Sequence, residues 1–277
     1  METVGIIGQG FVGTAVREGL KEFFSLETYD KFQDSTCESL EELMEKAKII
    51  FVCLPTPMRK DGSCDLSIIE SVIQEMKDRS SGHVAVIKST VLPGTTDRLN
   101  AARQDLQVVF NPEFLTEANS NDDFKNQNRI IIGGPKDASN RVRAVYKRAF
   151  PSTALIKTEA STAELVKYYT NVFLAMKVGF ASEMKQLCDK LNIDYDKVLE
   201  YVLYDNRIGK THLATPGPDG KSGFGGSCFP KDVNALIAFF RSFDLDPTIL
   251  SAVWKKNLEV RPEKDWEQLK GRAVSEN

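Results

Sequence analysis

Apolar residues fall in short unbroken runs over the first part of the chain and at helical spacing over the rest. The run at 3–7 predicts a buried strand, since strands of a parallel sheet are covered on both faces and lose their polar alternate positions, and those at 26–29, 49–54, 84–89, 107–110, 129–133 and 154–157 predict further strands. Helical patterns between them give the alternation of a doubly wound, mostly parallel α/β sheet. Ser39-Leu40-Glu41-Glu42 has capping-box spacing, and Pro55 and Pro57 end the third run in a loop. From Ser161 the pattern changes. A stretch to Leu191 with one Gly and no Pro predicts a single long helix, and shorter helices follow at about 194–204, 230–243 and 247–258. The expectation is therefore a Rossmann-type domain over 1–158, an all-helical domain over 159–260, and a charged tail without an apolar stripe over 261–277.

Composition narrows the function classes. A chain of 277 residues, 42% hydrophobic, has the size and core of a soluble two-domain enzyme. The net charge of -3 gives no support for nucleic-acid or membrane partners. The longest apolar run, Ile49 to Leu54, is too short to span a bilayer, and the N-terminus enters its first strand without a leader, so a cytoplasmic location is expected. Five cysteines without C-x-x-C spacing indicate neither a disulfide framework nor a zinc site, and no metal is expected. Two histidines, His83 and His212, leave little room for a Ser-His-Asp hydrolase or a multi-histidine metal site.

Two segments carry the candidate chemistry. The first strand runs into Gly8-Gln9-Gly10-Phe11-Val12-Gly13 and then a helix, the context a dinucleotide fingerprint needs. Gly8 makes the tight turn, Gly10 admits a pyrophosphate and Gly13 lets helix and strand pack closely. The second strand ends at Asp30, placed for a ribose 2′-hydroxyl; it favours NAD over NADP, a preference that Lys31 blurs. An ordinary glycine-rich βα turn is the alternative. In Gly223-Phe224-Gly225-Gly226-Ser227-Cys228-Phe229-Pro230-Lys231-Asp232, Pro230 suits the first position of a helix, which puts Cys228 just before an N-terminus that favours thiolate over thiol. Asp232 follows about one turn on, so thiolate and carboxylate can face one bound group. The plain alternative is a small buried Cys at a tight turn.

Weaker constellations lie between. Glu113 and Glu117, after a strand, can stand a turn apart at the carboxyl edge of the sheet, or belong to an acidic surface loop. Glu164, Lys167 and Asn171 share a helix face, where most such residues are solvated charge. Pro216 to Lys221 can bring the amides of Gly217 and Gly220 and the ammonium of Lys221 to a phosphate, or be a solvent-exposed turn.

Together these residues resemble the UDP-glucose/GDP-mannose dehydrogenase family over nearly the whole chain. The marks are Gly8 to Gly13, Pro55-Thr56-Pro57, Lys88-Ser89-Thr90, Asn111 to Glu117, Arg129 to Gly133, Lys167 to Asn171, Asn206-Arg207-Ile208-Gly209 and Gly223 to Asp232. The resemblance implies oxidation of a nucleotide-sugar primary alcohol, most often UDP-glucose, to a carboxylate with two NAD+. In that reading Cys228 attacks the intermediate aldehyde to give a thiohemiacetal and then a thioester. Lys167 and Asn171 stabilise the oxyanion. Glu117 and Asp232, with Thr90 holding a water, assist deprotonation and hydrolysis. Glu113, Phe114, Leu115 and Gly225 line the sugar-nucleotide site, and Thr56, Thr90 and Glu117 join the glycine turn, Asp30 and Lys31 around the cofactor.

The resemblance also places Arg207 in a neighbouring subunit's site, implying a homodimer built on the long helix. Phe173, Leu174, Met176, Val178 and Phe180 give that helix more apolar surface than one small domain readily covers. Family members usually continue into a third domain that holds much of the nucleotide, and this chain stops where that domain would begin. Two rivals remain: a two-electron β-hydroxyacid dehydrogenase, which needs no Cys228, and a non-catalytic nucleotide-sugar or NAD binding protein.

Overall fold

A computed structural model describes residues 2–77, 82–102 and 105–276. The chain divides into two units, residues 1–56 with 66–167 and residues 57–65 with 168–277.

The first unit is built on β1 (Thr3–Ile7), β2 (Ser25–Tyr29), β3 (Ile49–Val52), β4 (His83–Ile87), β5 (Leu106–Phe110), β6 (Arg129–Gly133) and β7 (Ala154–Thr158). They form one sheet in the order β2-β1-β3-β4-β5-β6-β7. Neighbours are parallel except β5 and β6, which meet antiparallel at Phe110 and Gly133. Between them run α1 (Phe11–Leu20), α2 (Leu40–Lys46), α3 (Ser67–Lys77), α4 (Thr95–Ala101), α5 (Ser120–Lys125) and α6 (Lys136–Ala149), and α7 (Ala160–Leu191) starts in this unit.

Alternation along the strands decides which helix lies where. Val4, Ile6, Ile49, Phe51, Val84, Val86, Ile130 and Ile132 pack with Ala15, Val16 and Leu20 of α1, Phe124 of α5 and Val142 and Tyr146 of α6. Gly5 turns the other way, and a Cβ there would stand 3.3 Å from Leu43 of α2. Helices thus cover both faces, as a doubly wound sheet requires. Because β2 and β3 flank β1, the carboxyl ends of β1 and β3 border the switch point at which ligands bind in such sheets.

Capping side chains finish the frame. Ser39 accepts from the Glu42 amide at 3.1 Å, and the Glu42 carboxylate accepts from the Glu38 amide at 2.8 Å, a capping box shifted by one residue on its return bond. Glu164 is fully buried rather than solvated. Its carboxylate accepts from the amides of Gly94 and Thr96 at 2.7 and 2.9 Å and so caps α4. Burial raises its pKa above the usual carboxylate range.

The second unit holds the rest of α7 with α8 (Tyr195–Val202), α9 (Phe229–Arg241) and α10 (Thr248–Val260). Ala181, Cys188, Tyr195 and Leu213 form one buried cluster, fixed by a 2.8 Å bond from the Tyr195 hydroxyl to the Leu213 carbonyl. Residues 261–276 of the stretch expected as a charged tail are folded into this unit. Trp266, in a 3-10 turn over Asp265–Gln268, is 1% exposed and its ring lies 5.3 Å from that of Trp254. The Met58 amide donates to the Ala273 carbonyl at 2.9 Å, and the Ser275 amide donates to the Met58 carbonyl at 2.8 Å. These bonds draw residues 57–65 into the helical unit although they follow β3 in sequence. A single Trp among charges makes no stripe, so periodicity misses this segment. Among the described residues no helix is long and apolar enough to cross a membrane.

Candidate active site

In the first unit the glycine turn closes β1 as a dinucleotide turn must. Gly8 has φ +86°, and a Cβ there would lie 2.5 Å from the Cys53 carbonyl oxygen. A Cβ on Gly13 would come within 1.9 Å of the Gly8 carbonyl oxygen, so α1 can approach β1 only because it is absent. Gly10 differs: its Cβ would meet nothing within 4 Å. Space is thus kept where an anion approaches the start of α1, which opens with Phe11 and Val12. Asp30, just past β2, reaches the same turn, its Oδ2 accepting from the Gln9 amide at 2.6 Å and its Oδ1 from the Phe32 amide at 2.9 Å. The Lys31 ammonium sits 5.8 Å from the Phe32 ring centre. Beside this turn Gln9, Thr14, Arg17, Phe32, Gln33 and Asp34 line a cleft of about 430 Å³. Thr56 and Thr90 are buried together, the Thr56 hydroxyl donating to the Thr90 carbonyl at 2.8 Å.

The donor set and the vacant volume over Gly10 fit a dinucleotide. Gly10→Ala should leave thermal stability unchanged and weaken NAD+ by about tenfold or more, the equivalent of about 1.4 kcal/mol. Gly13→Ala should instead lower stability by about 1–3 kcal/mol, as overpacking does. Calorimetry and thermal melts on both variants check the contrast, and equal NAD+ affinity in Gly10→Ala would remove the pyrophosphate from this turn.

Deeper in the same unit, Lys167 and Glu113 form a buried pair with side chains 3% and 7% exposed, the ammonium donating to Glu113 Oε1 at 2.8 Å and to the Glu113 carbonyl at 2.6 Å. Burial pushes the Glu113 carboxyl up, but Lys167 outweighs it and holds the pKa below the usual carboxylate range. Two cations stand near the Phe114 ring, with Arg129 Cζ 4.4 Å and Lys167 Nζ 5.4 Å from its centre. The Leu115 amide donates to Glu113 Oε2 at 2.7 Å. The sequence spacing allows Glu113 and Glu117 to stand a turn apart at the sheet edge or to lie in an acidic surface loop. The backbone is not helical before Glu117, so Glu113 is buried while Glu117 is exposed at the head of a 3-10 turn. Lys88 is buried on Asn111, donating to its Oδ1 at 3.0 Å, and burial pulls the Lys88 pKa down to about 8.

The second unit carries the thiol. Cys228 is the N-cap of α9, with Pro230 in the first turn, and the Asp232 amide donates to the Cys228 carbonyl at 3.0 Å. Asp232 is 1% exposed; its Oδ2 accepts from the Asn171 amide group at 2.7 Å and its Oδ1 from Lys231 Nζ at 2.6 Å. Sequence reasoning passed over Lys231. Burial disfavours its ammonium, yet Asp232, Cys228 and Cys64 together raise its pKa above the ordinary lysine value. The one signal that could have found Lys231 is its adjacency to Asp232, since two neighbouring opposite charges at a helix start share an environment.

Further candidate residues have neighbours within the chain. Arg207 is 89% exposed and pairs with Asp205, Nε donating to Oδ1 at 2.9 Å. Gly225 leaves room for protein rather than for open solvent: a Cβ would stand 2.4 Å from a guanidinium nitrogen of Arg261. In the 216–221 loop the Gly217 amide donates to the Lys221 carbonyl at 2.7 Å, the Gly220 amide donates to the Gly217 carbonyl at 2.9 Å, and Lys221 Nζ pairs with Glu263 at 3.1 Å. The Gly217 and Gly220 amides are thus engaged within the loop, and the Lys221 ammonium has a carboxylate partner.

Comparison with known proteins matches this arrangement. Residues 15–150 match the NAD binding domain, and residues 161–259 the central domain, of the UDP-glucose/GDP-mannose dehydrogenase family. The UDP-glucose 6-dehydrogenase of Rickettsia bellii is 37% identical over 229 residues, covering 79% of this chain and 51% of its own length. The UDP-glucose 6-dehydrogenase AglM of Haloferax volcanii is 32% identical over 273 residues, 92% of this chain and 61% of its own. The chain thus spans between about half and three fifths of these relatives. A UDP-glucose dehydrogenase structure from Pyrobaculum islandicum superposes with a TM-score of 0.85 at 31% identity, covering 97% of this chain and 70% of that one. The 3-hydroxyisobutyrate dehydrogenase of Mycobacterium tuberculosis shares the fold alone, with a TM-score of 0.74 at 14% identity over 95% of each chain. With both domains matched in order, the chain belongs to the UDP-glucose/GDP-mannose dehydrogenase family.

Proposed function

We propose that the chain oxidises the primary alcohol of a nucleotide sugar, UDP-glucose, to the carboxylate, and that Cys228 holds the intermediate. The observation that carries this reading is the placement of Cys228 at the N-cap of α9, in the unit where Asn171, Lys231 and Asp232 form one buried cluster. When bound, NAD+ supplies the hydride acceptor for each of the two oxidations. The chain's own groups do the rest. The helix terminus and the Lys231 ammonium favour an anion at Cys228, whose sulfur adds to the aldehyde carbon and breaks the C=O π bond. Two of the three Lys167 N–H donors go to Glu113, leaving the third for the oxygen that gains charge. Loss of the second hydride leaves a thioester. Water then adds to its carbonyl, and the C–S bond breaks to give carboxylic acid and thiolate; Asp232, Glu117 and Thr90 are proposed to position that water and take its proton.

Assay of NADH release over a panel of nucleotide sugars should give two NADH per UDP-glucose consumed. A ratio of one with free aldehyde would select the two-electron reading that the 3-hydroxyisobutyrate dehydrogenase fold also suits. Binding without any NADH would select the non-catalytic reading.

The proposal extends to a homodimer. Tyr169, Phe173, Phe180 and Leu187 are 69%, 50%, 64% and 50% exposed, and their spacing of four and seven residues makes one apolar stripe along α7. Covering that stripe with its copy from a second chain would remove it from water, and Arg207 is proposed to reach the neighbouring site. Sedimentation should show the dimer, and a fully active monomer would overturn this.

A further inference from the structure

The structure assigns to Asn257, Asp265 and Arg261 a positioning role: they set the glycine turn that leads into Cys228. Three amides of that turn end on side chains. The Gly223 amide donates to Ser182 Oγ at 3.2 Å, the Phe224 amide to Asn257 Oδ1 at 2.7 Å and the Gly226 amide to Asp265 Oδ2 at 3.1 Å. Asn257, fully buried on α10, also donates from Nδ2 to the Phe224 carbonyl at 2.9 Å, so it pairs with Phe224 as a neighbouring strand would. Asp265 is fixed in turn: its Oδ1 accepts from Arg261 Nε at 2.6 Å, and the same guanidinium donates to Asp219 Oδ2 at 2.6 Å.

Each member needs the others. The Arg261 side chain is 3% exposed, and a guanidinium that far from water is tolerated because two carboxylates accept from its fixed fork of donors. Gly225 has no Cβ because Arg261 and Asp265 occupy its place. The Gly223 and Gly226 φ angles of +71° and +69° shape a backbone that few side chains would permit. The 216–221 loop thereby acquires a task, which is to supply Asp219 as the second counter-ion of Arg261. A turn whose amides end on α7, α10 and the 3-10 turn inherits the rigidity of those elements, and misplacing a reacting group by about 1 Å can cost about a hundredfold in rate. The catalytic consequence rests on the function proposed above; the positioning itself does not.

The test uses the full chain with Asn257→Asp, Asp219→Asn and Asp219→Glu. Asn257→Asp keeps the acceptor for Phe224 and loses the donor. Asp219, whose side chain is 47% exposed, can be changed without opening the core. Hydrogen exchange at the amides of Gly223, Phe224 and Gly226 should quicken about tenfold in Asn257→Asp and Asp219→Asn, the effect of a lost charged or buried bond. Exchange in β1 to β4 should not change. With UDP-glucose and NAD+, kcat should fall about a hundredfold while KM moves much less, and Asp219→Glu should recover most of it. Unaltered exchange at the turn in both variants would overturn the assignment. So would a kcat loss that merely follows the melting temperature and is not recovered by Asp219→Glu. If the unaltered chain oxidises no nucleotide sugar, the function reading falls and the exchange rates alone decide the positioning.

Discussion

Cys228→Ser should lower carboxylate formation by on the order of a thousandfold or more, with NAD+ affinity unchanged. A serine hydroxyl at the α9 N-cap is far less ionised than a thiol, and an oxygen ester in place of the thioester loses the good leaving group that the last hydrolysis needs. The proposed cofactor turn, Gly8 to Gly13, belongs to the other unit, so the change should leave it unaffected. Quantifying NADH, aldehyde and acid in one time course separates the steps. Aldehyde in place of acid places Cys228 after the first oxidation. Undiminished acid formation would reduce Cys228 to a packing residue at a tight turn and would sink the thioester route.

The centre of the sheet is legible because β3 and β4 are near-continuous apolar runs, whereas the edge strands β2 and β7 keep polar and exposed positions; β1 and β6 fall where the sequence predicts, and β2, β4 and β5 start one residue earlier. The start of α9 was legible for a different reason, since Pro230 and Asp232 are local start signals that a window of five residues contains. What escaped reading is long-range. Asn257 finds Phe224 across 33 residues and Arg261 finds Asp219 across 42, so no spacing rule links them. Glu164 reads as surface charge on any helical wheel, and only the start of α4, at Gly94 and Thr96, explains its burial. The one-turn relation of Glu113 to Glu117, one of two readings the spacing allows, is not formed, because Pro112 and the residues after it stay out of helix. The local rules thus locate the glycine turn and the thiol, whereas the polar groups that orient them are recruited from distant sequence.

Removing the Lys167 ammonium should destabilise the first unit by about 3–5 kcal/mol, because it would strand the Glu113 carboxylate away from water. Lys167→Met tests this most sharply, since it keeps the length of the side chain and deletes the charge. For a unit of this size a loss of that order lowers the melting temperature by about 10 °C. Pairing the change with Glu113→Gln should restore most of the loss, as a buried ion pair exchanged for neutral groups often costs little net stability. The pH dependence follows from the direction of the Glu113 shift. Its pKa in the folded chain lies below the usual carboxylate value, because Lys167 outweighs burial. The stability it contributes is therefore present above the unfolded carboxylate pKa and is lost as pH falls through the depressed folded value. The unaltered chain should lose stability on acidification in that window, and the double variant should show a shallower slope there. Lys167→Met melting at the unaltered temperature, or a double variant no more stable than the single one, would mean that Glu113 takes up its proton instead. In that case the ammonium would be held for the reacting oxygen alone, and the Lys167 contact to Glu113 would set only its direction.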